Sequence, residues 1–196
     1  MTKTKNKSAK RKIVLRPGRH SILSERHEPI DWIDAQGKKI LTLDKQLVHA
    51  LGLKHYAVHI FVIDAKGELV LQRRRDDRFL QPGSWDTSVG GHVTSGESLL
   101  ASARRETKEE LRITSPLHAL GQLDVVDKQK NYHNDERVAY YWCRTTQTPY
   151  YQRSEIAGLQ AIPLGKVNAF IRSHQCSPML VAGWKKFGKR LMERML

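Results

Sequence analysis

Three glutamates are spaced along one predicted helix so that together they could bind a metal ion. Glu106, Glu109 and Glu110 lie near the end of residues 91–113, which read GHVTSGESLLASARRETKEELRI. Residues three and four positions apart share one helix face, so these carboxylates repel one another by roughly 0.2–0.5 kcal/mol per pair. A hard divalent cation such as Mg²⁺ prefers oxygen ligands and often completes its shell with phosphate oxygens. The pattern therefore favours metal-assisted attack on a phosphate chain. A solvated acidic helix face is the alternative interpretation.

Glycines and further charged residues place these glutamates in a longer pattern. Its members are Gly91, Glu97 six positions on, then Arg105, Glu106, Glu109, Glu110 and Ile113. This spacing resembles the Nudix box, the signature of the Nudix hydrolase superfamily. Two positions depart from it. Thr107 replaces an aliphatic residue, and Arg112 replaces a glycine that commonly supplies a left-handed helix cap. Neither departure removes a predicted metal ligand.

The resemblance implies a metal site and the residues that form it. In the family, box glutamates and a backbone carbonyl near the first glycine hold Mg²⁺ or Mn²⁺. The matching groups are Glu106, Glu109, Glu110 and the Gly90 carbonyl, with Glu97 as an additional ligand. Glu106 is also expected to act in the base arrangement that takes a proton from the attacking water.

Other residues could act around the metal, and ordinary surface or packing roles are the alternative for each of them. Arg105 lies beside the acidic face and could orient a carboxylate. The family often takes its base from another loop, for which the acidic candidates are Asp127, Asp135, Glu136 and Glu155. The basic residues that could clamp phosphates through their guanidinium forks are Arg73, Arg74, Arg75 and Arg78. Trp85 could stack on a base of the substrate.

Shorter stretches are similar to isopentenyl-diphosphate isomerases and the Nudix proteins nearest them. The isomerases place a reactive cysteine just before a Gly-His pair, and here that position is Gly90. They also need a glutamate in a later strand, where a loose alignment puts Arg137. With both groups missing, allylic proton transfer is expected to fail. Isomerase histidines near His49, His55 and His92 bind a metal, so these three are candidate ligands, with ordinary core or surface histidines as the alternative.

The flanking sequence predicts strands and helices around the box. A hairpin is expected over residues 28–43 and a short helix over 45–51, between an Asp44 cap and a Gly52 stop. Further strands are expected at 57–63, 68–72, 85–89, 120–126, 138–143 and 158–162, and further helices at 98–111, 164–173 and 179–195. The polar residues 127–137 are predicted to form a loop over the site. Periodicity alone gives an α/β or α+β class. The resemblance implies the Nudix α/β/α sandwich, a mixed β-sheet between helices.

The chain divides into three predicted parts. Composition predicts a basic, flexible N-terminal segment over residues 1–24, the resemblance implies a Nudix hydrolase domain over residues 25–175, and helical spacing predicts an amphipathic helix packed on it over residues 176–196. The net charge is +14, and the first 20 residues hold eight basic residues and no acid. That segment could bind nucleic acid by releasing counterions, although a solubilising role is the alternative. No apolar run approaches the length of a membrane span. Two cysteines do not make a disulfide framework, so a cytoplasmic location is expected.

Three functions follow from these observations. The leading hypothesis is a metal-dependent pyrophosphohydrolase that cleaves a diphosphate linkage in a nucleoside diphosphate derivative or a related organic pyrophosphate. The second is an isomerase of prenyl diphosphates. The third is a non-catalytic Nudix module that binds RNA or a nucleotide. The family resemblance permits a homodimer without requiring one.

Overall fold

A computed structural model describes residues 27–78, 80–129 and 132–195. The N-terminal segment predicted over residues 1–24 lies outside these described residues. The strands are β1 (Pro29–Ile33), β2 (Lys39–Asp44), β3 (His55–Ile63), β4 (Glu68–Arg74), β5 (Trp85–Asp86), β6 (Val89–His92), β7 (His118–Gln129), β8 (Tyr132–Arg144) and β9 (Ile156–Pro163). The helices are α1 (Lys45–Leu51), α2 (Leu99–Leu111), α3 (Val167–Ser173) and α4 (Pro178–Glu193), with a 3₁₀ turn at Leu164–Lys166.

One mixed sheet contains all of the described strands, and β3 lies at its centre. β3 runs parallel to β8, pairing His55 with Glu136 and Ile63 with Arg144. On its other side β3 pairs antiparallel with β6 and, further along, with β4. β7 extends the sheet beyond β8, and β9 extends it beyond β4. The Nudix α/β/α sandwich predicted from the resemblance is confirmed.

The two faces of β3 carry two separate layers of helix packing. Alternate side chains of a strand point to opposite faces. Val58, Ile60 and Val62 belong to one core cluster, which also contains Ala103 and Leu111 of α2. The opposite cluster contains Phe61 and Ile63 with buried residues of α3 and α4, namely Val167, Phe170, Leu180, Trp184 and Phe187. Because β3 is apolar on both faces, the sheet is covered on both sides.

Local sequence signals set the helix ends. The Asp44 side chain accepts a hydrogen bond from the Gln46 N–H, and Gly52 ends α1 in the left-handed conformation, as the sequence predicted. α4 begins in the same manner, since Ser177 accepts from the Leu180 N–H and Pro178 occupies the first turn.

Two of the predicted elements were wrong. Residues 127–137 do not form a loop, because β7 and β8 continue through most of them as paired strands. Their inward positions include Asp127, Asn134 and Glu136, which are buried although polar. The usual alternation of apolar and polar residues is therefore missing. The single strand predicted over 85–89 is two strands: β5 pairs with β4, and β6 pairs with β3.

None of the helices in the described ranges is both long enough and apolar enough to cross a membrane.

We expect Gly183→Ala to destabilise the protein by about 1–3 kcal/mol, the range for adding a methyl group to a packed core. Gly183 lies on α4, and a Cβ atom there would overlap the ring of Tyr140. Gly165→Ala is the matched control, because nothing lies within 4 Å of its added Cβ. Urea unfolding of both variants checks this. Equal midpoints would mean that α4 does not pack on Tyr140 as described.

Candidate functional site

The box glutamates are brought together by α2 and by the glycines of β6. Glu106 and Glu110 are buried, at 9% and 5% exposure, on the α2 face that lies against the sheet. Gly91 makes this possible, since a Cβ atom there would overlap the Glu106 carboxyl carbon. A glycine at this position lets a charged side chain lie directly on the strand backbone.

Arg105 organises the carboxylates around it. Its Nε and Nη2 donate to Glu97 at 3.0–3.2 Å, and its Nη1 donates to Glu106 at 2.7 Å. Nη2 also reaches the carbonyl oxygen of His92 at 3.2 Å, which joins the helix to β6. The more distant Nη1 contact to Glu109 is 3.4 Å, and the Glu109 side chain is 55% exposed. Glu97, expected as an additional ligand, is held by Arg105 and by the Ser102 hydroxyl.

The buried glutamates have an electrostatic character that suits a cation. Burial raises the pKa of Glu106 to about 7, against the opposing effect of Arg105. Burial also raises the pKa of Glu110 well above its ordinary value, and the neighbouring Glu106 adds to the effect. Gln72 donates to Glu110 at 3.3 Å. These buried carboxylates repel one another, and the nearby basic side chains do not fully compensate their charge. A divalent metal ion would fit such oxygen ligands and would favour their charged forms.

The predicted phosphate-binding arginines surround the loop between β4 and β5. Arg73 lies 3.5 Å from Asp76, Arg75 pairs with Asp77 at 2.7 Å, and Arg78 lies 3.3 Å from Glu155. Arg74 donates to the carbonyl oxygen of Leu80 and lies 3.7 Å from Asp86. Each of the four therefore has a partner within the protein, and the Arg73 and Arg75 side chains remain 48% and 43% exposed.

The remaining predicted substrate and base residues are dispersed. Trp85 is half-buried on β5, with its ring centroid 5.3 Å from that of Phe170 in an edge-on contact. Asp127 is buried and accepts from Gln81 at 2.5 Å, while Asp135 lies 3.0 Å from Lys54. The backbone near Glu155 is close to α2, because the Gln152 N–H donates to the Glu110 carbonyl at 3.0 Å.

The three candidate histidines form a compact cluster. One ligand nitrogen each from His49, His55 and His92 can be chosen so that all lie within 4.8 Å of one another. The Nε2 atoms of His49 and His92 are 2.9 Å apart. Glu136 faces them, with its Oε1 3.6 Å from His55 Nε2 and 3.9 Å from His92 Nε2. The cluster is built by α1, β3, β6 and β8.

Two buried polar atoms of this cluster lack hydrogen-bond partners within the described part of the chain. Nδ1 of His55 donates to the Leu53 carbonyl at 2.8 Å, which leaves Nε2 as the ring nitrogen that faces Glu136. That Nε2 and Oε2 of Glu136 are buried without a hydrogen-bond partner among the described residues. Burial lowers the pKa of His49 to about 4, so its ring is neutral at pH 7. Two ligands of one Zn²⁺ ion lie roughly 3 Å apart, so this donor set fits a metal.

A glutamate stands one residue before Arg137, the position to which the loose alignment assigned the later-strand glutamate. Glu136 is the β8 residue that faces the histidines, and Arg137 lies on the other strand face, pairing with Asp124 at 2.7 Å. Burial acts to raise the pKa of Glu136, but the electrostatic effect of His55, His92 and His59 holds that pKa below its ordinary value. Strand alternation makes a one-residue error move a side chain to the opposite face.

The presence of glycine at position 90 has a steric explanation that the sequence did not reveal. A Cβ atom on Gly90 would lie 2.6 Å from Cε1 of His59, which is buried opposite it on β3. His59 is fixed there by Thr87: the Thr87 hydroxyl donates to the Val89 carbonyl, so it accepts from His59 Nδ1 at 2.7 Å. His59 thus fills the space that a side chain at position 90 would need. Sequence reasoning missed His59, because it lies within an apolar strand.

Arg112 performs the conformational role of the glycine it replaces. It adopts the left-handed conformation with φ of 56°. Its backbone N–H caps α2 by donating to the carbonyl oxygens of Lys108 and Thr107. Its guanidinium carbon lies 4.3 Å from the centre of the Tyr150 ring. The Tyr150 N–H donates to the Leu111 carbonyl at 3.1 Å. The loop around Tyr150 therefore supports the helix end that carries Glu110.

Comparison with known proteins identifies the family. The NUDIX domain model matches residues 53–178, so the chain belongs to the Nudix family. An uncharacterized Nudix hydrolase of Yersinia pestis is 42% identical over 86 residues, covering 44% of this chain and 47% of that protein. An isopentenyl-diphosphate Delta-isomerase of Serratia proteamaculans is 39% identical over 90 residues, covering 46% and 50%. The chain thus spans about half the length of these curated relatives.

A solved structure shares the fold. The crystal structure of a Deinococcus radiodurans protein superposes with a TM-score of 0.66 at 20% identity, covering 84% of this chain and 99% of that one.

We expect Arg112→Gly to be more stable than Arg112→Ala by about 1 kcal/mol. Both variants lose the contact with Tyr150, which contributes about 0.5–1 kcal/mol. Alanine at position 112 is still destabilised by the left-handed conformation because it has a Cβ atom, whereas glycine is not. Arg104→Ala is the control, since Arg104 is exposed on the same helix. Chemical unfolding checks this, and an alanine variant as stable as the glycine variant would show that the cap is not left-handed.

Proposed function

We propose that the protein is a divalent-metal-dependent hydrolase that cleaves a diphosphate linkage in a nucleoside diphosphate derivative or a related organic pyrophosphate. The observation that carries this proposal is the burial of Glu106 beside Gly91 and of Glu110 on the same face of α2. Burying two carboxylates costs free energy unless a cation compensates them. The carboxylate set also includes Glu109 and Glu97, and Mg²⁺ or Mn²⁺ suits such oxygen donors.

Each residue around the carboxylates has a role in this reaction. When bound, the cation neutralises phosphate charge and lowers the pKa of a water molecule. Water attacks one phosphorus, the bond to the bridging oxygen breaks, and two phosphate products leave. Glu106 takes the water proton as part of the base arrangement, oriented by the 2.7 Å bond from Arg105. Glu97 fixes Arg105.

The substrate-binding part of the proposal assigns Arg73, Arg74 and Arg78 to the phosphates and Trp85 to a base. Bidentate arginine contacts suit phosphate oxygens. The exposed guanidinium of Arg73 supports this, since its partner Asp76 is 81% exposed and can be exchanged for phosphate. A reducing compartment, the cytoplasm, is part of the proposal because two cysteines do not make a disulfide framework.

The isomerase is the second candidate, favoured by the histidine cluster and by Glu136. Against it stands Gly90, because a cysteine at that position would collide with His59. Incubation with isopentenyl diphosphate in deuterated water separates the two functions. We expect no deuterium in the recovered substrate, and incorporation would favour the isomerase.

We also propose that the histidine cluster with Glu136 binds a second metal ion. Its support is the pair of buried atoms without partners, Nε2 of His55 and Oε2 of Glu136. Imidazole and carboxylate ligands together suit Zn²⁺ or Mn²⁺. This site lies on the opposite strand face from Glu106, so the two sites can be removed separately.

The hydrolase proposal predicts that changing both Glu109 and Glu110 to Gln abolishes turnover without unfolding the protein. Glutamine keeps the shape of a protonated glutamate, so the fold without metal should lose little stability. A panel of nucleotide sugars, dinucleoside polyphosphates, NADH, coenzyme A, prenyl diphosphates and capped RNA, with Mg²⁺ or Mn²⁺, identifies the substrate by mass spectrometry. Lys108→Gln, exposed on the same helix, is the control. Near wild-type turnover in the double variant would refute the assignment.

The second-metal proposal predicts a stoichiometry. We expect the protein to bind two equivalents of Mn²⁺ in calorimetry, and the His49→Gln/His92→Gln variant to bind one. His118→Gln is the control, since His118 is exposed outside the cluster. Unchanged stoichiometry in the histidine variant would mean that these residues are only core packing.

A further inference from the structure

The excess of positive over negative charge is confined to two regions of the chain. Residues 1–26 contain nine basic residues and one acid, and residues 164–196 contain seven basic residues and one acid. Residues 27–163 contain 18 basic and 18 acidic residues, which cancel. The net charge of +14 is therefore +8 from the first region and +6 from the last. The part that holds the box is neutral.

The last region places its charge on the outer surface of the α3–α4 layer. α4 buries Leu180, Trp184 and Leu191 against the sheet, so its lysines point outward. Arg190 and Arg194 lie at the edge of this layer, where Arg190 donates to the Leu120 carbonyl and Arg194 lies over the Trp142 ring. The exposed basic residues of this layer are Lys166, Arg172, Lys185, Lys186, Lys189, Arg190 and Arg194. From Lys185 to Arg194 the helix rises about 14 Å. We call these seven residues the basic face.

Few acids compensate the basic face. Lys189 lies 3.9 Å from Glu193, and both side chains are largely exposed. Within the described residues, Lys185, Lys186 and Arg172 have no acidic partner. Exposed ion pairs contribute little in any case. The face therefore repels itself, and an anionic partner would relieve that repulsion.

A shallow groove crosses the basic face between α3 and α4. It has a volume of about 330 Å³, and its rim carries Arg172, Lys185 and Lys189. Its floor is apolar and includes Trp184, whose ring is 3% exposed and whose Nε1 donates to Asn168. Trp184 is thus not presented for stacking, and Val181, at 39%, is the only large hydrophobic residue exposed in the described part of this layer.

The charge and shape of the basic face indicate which kind of molecule could bind to it. The N-terminal segment and a second copy of this face are both positive, so each would be repelled. A membrane-surface helix needs an exposed apolar side, whereas the apolar side of α4 is covered by the sheet. Peptides that bind grooves anchor large apolar side chains in pockets, and one exposed valine beside a shallow groove offers little for this. A run of phosphates needs only the lysines and arginines.

We propose that the basic face binds the phosphodiester backbone of nucleic acid, without reading its sequence. Contacts come from Lys185, Lys186 and Lys189, with Arg172 on the neighbouring helix. Binding by phosphate contacts releases counterions, so affinity falls with salt in proportion to the number of contacts. The layer lies on the sheet face opposite α2, and binding there leaves the box glutamates accessible.

Fluorescence anisotropy with a 20-nucleotide oligouridine tests this proposal. The RNA carries a 5′-hydroxyl and a 3′-fluorescein, so it contains no diphosphate linkage and cannot report on hydrolysis. We expect Lys185→Gln/Lys186→Gln/Lys189→Gln to weaken binding at low salt by about tenfold or more. The slope of log affinity against log salt should fall by about 2, since each lost contact to a single strand removes about 0.7.

Two matched variants carry the same change of charge elsewhere. Lys38→Gln/Lys66→Gln/Lys128→Gln removes three exposed lysines from the neutral part and should leave the slope unchanged. Lys5→Gln/Lys7→Gln/Lys10→Gln removes three from the N-terminal segment. Thermal unfolding confirms that each variant is folded.

Several outcomes would overturn the proposal. Equal slopes for the basic-face and neutral-part variants would mean that net charge alone attracts RNA. A change confined to the N-terminal variant would assign binding to that segment. Binding of polyglutamate or of phosphatidylserine vesicles, without binding of oligouridine, would assign the face to an acidic protein or to a lipid surface.

Discussion

The close approach of Glu106 to the backbone of Gly91 is the constraint on which the site depends. A side chain at position 91 would occupy the space of the carboxyl group, so the position of Glu106 on α2 requires glycine there. Burial raises the pKa of the Glu106 carboxyl group, and Arg105 opposes this shift through a 2.7 Å hydrogen bond. The same arginine holds Glu97 and the His92 carbonyl. One guanidinium therefore fixes the helix, the preceding loop and β6 relative to one another.

β6 is only four residues long, yet it contributes residues to sites on both faces of the sheet. Gly91 admits Glu106 on the α2 side, while Gly90 admits His59 and His92 joins the histidine cluster on the other side. Two groups of candidate metal ligands are thus separated by the thickness of one strand. This arrangement explains how the chain can resemble isomerases in its histidines and in Glu136, and still lack room for their cysteine.

The sequence predicted the parts of the site that depend on local spacing. α1 and its caps, α2, the box glutamates and the β3 strand follow from residue order along one element. The β7–β8 hairpin was missed because its inward residues are polar, and Glu136 was considered only as a base because its position facing the histidines depends on strand pairing. His59 and Tyr150 act through contacts between elements distant in sequence. No periodicity within β3 or within the loop before β9 reveals such contacts.

The central claim is that the buried glutamates of α2 bind a divalent cation, and anomalous X-ray diffraction tests it most directly. Crystals grown with Mn²⁺ and a methylene-bridged diphosphate analogue would be measured at the manganese absorption edge. We expect an anomalous peak bounded by the carboxylates of Glu106, Glu109 and Glu110, with the analogue's phosphates on its open side. A well-ordered α2 without such a peak, or a peak confined to His49, His55 and His92, would contradict the claim.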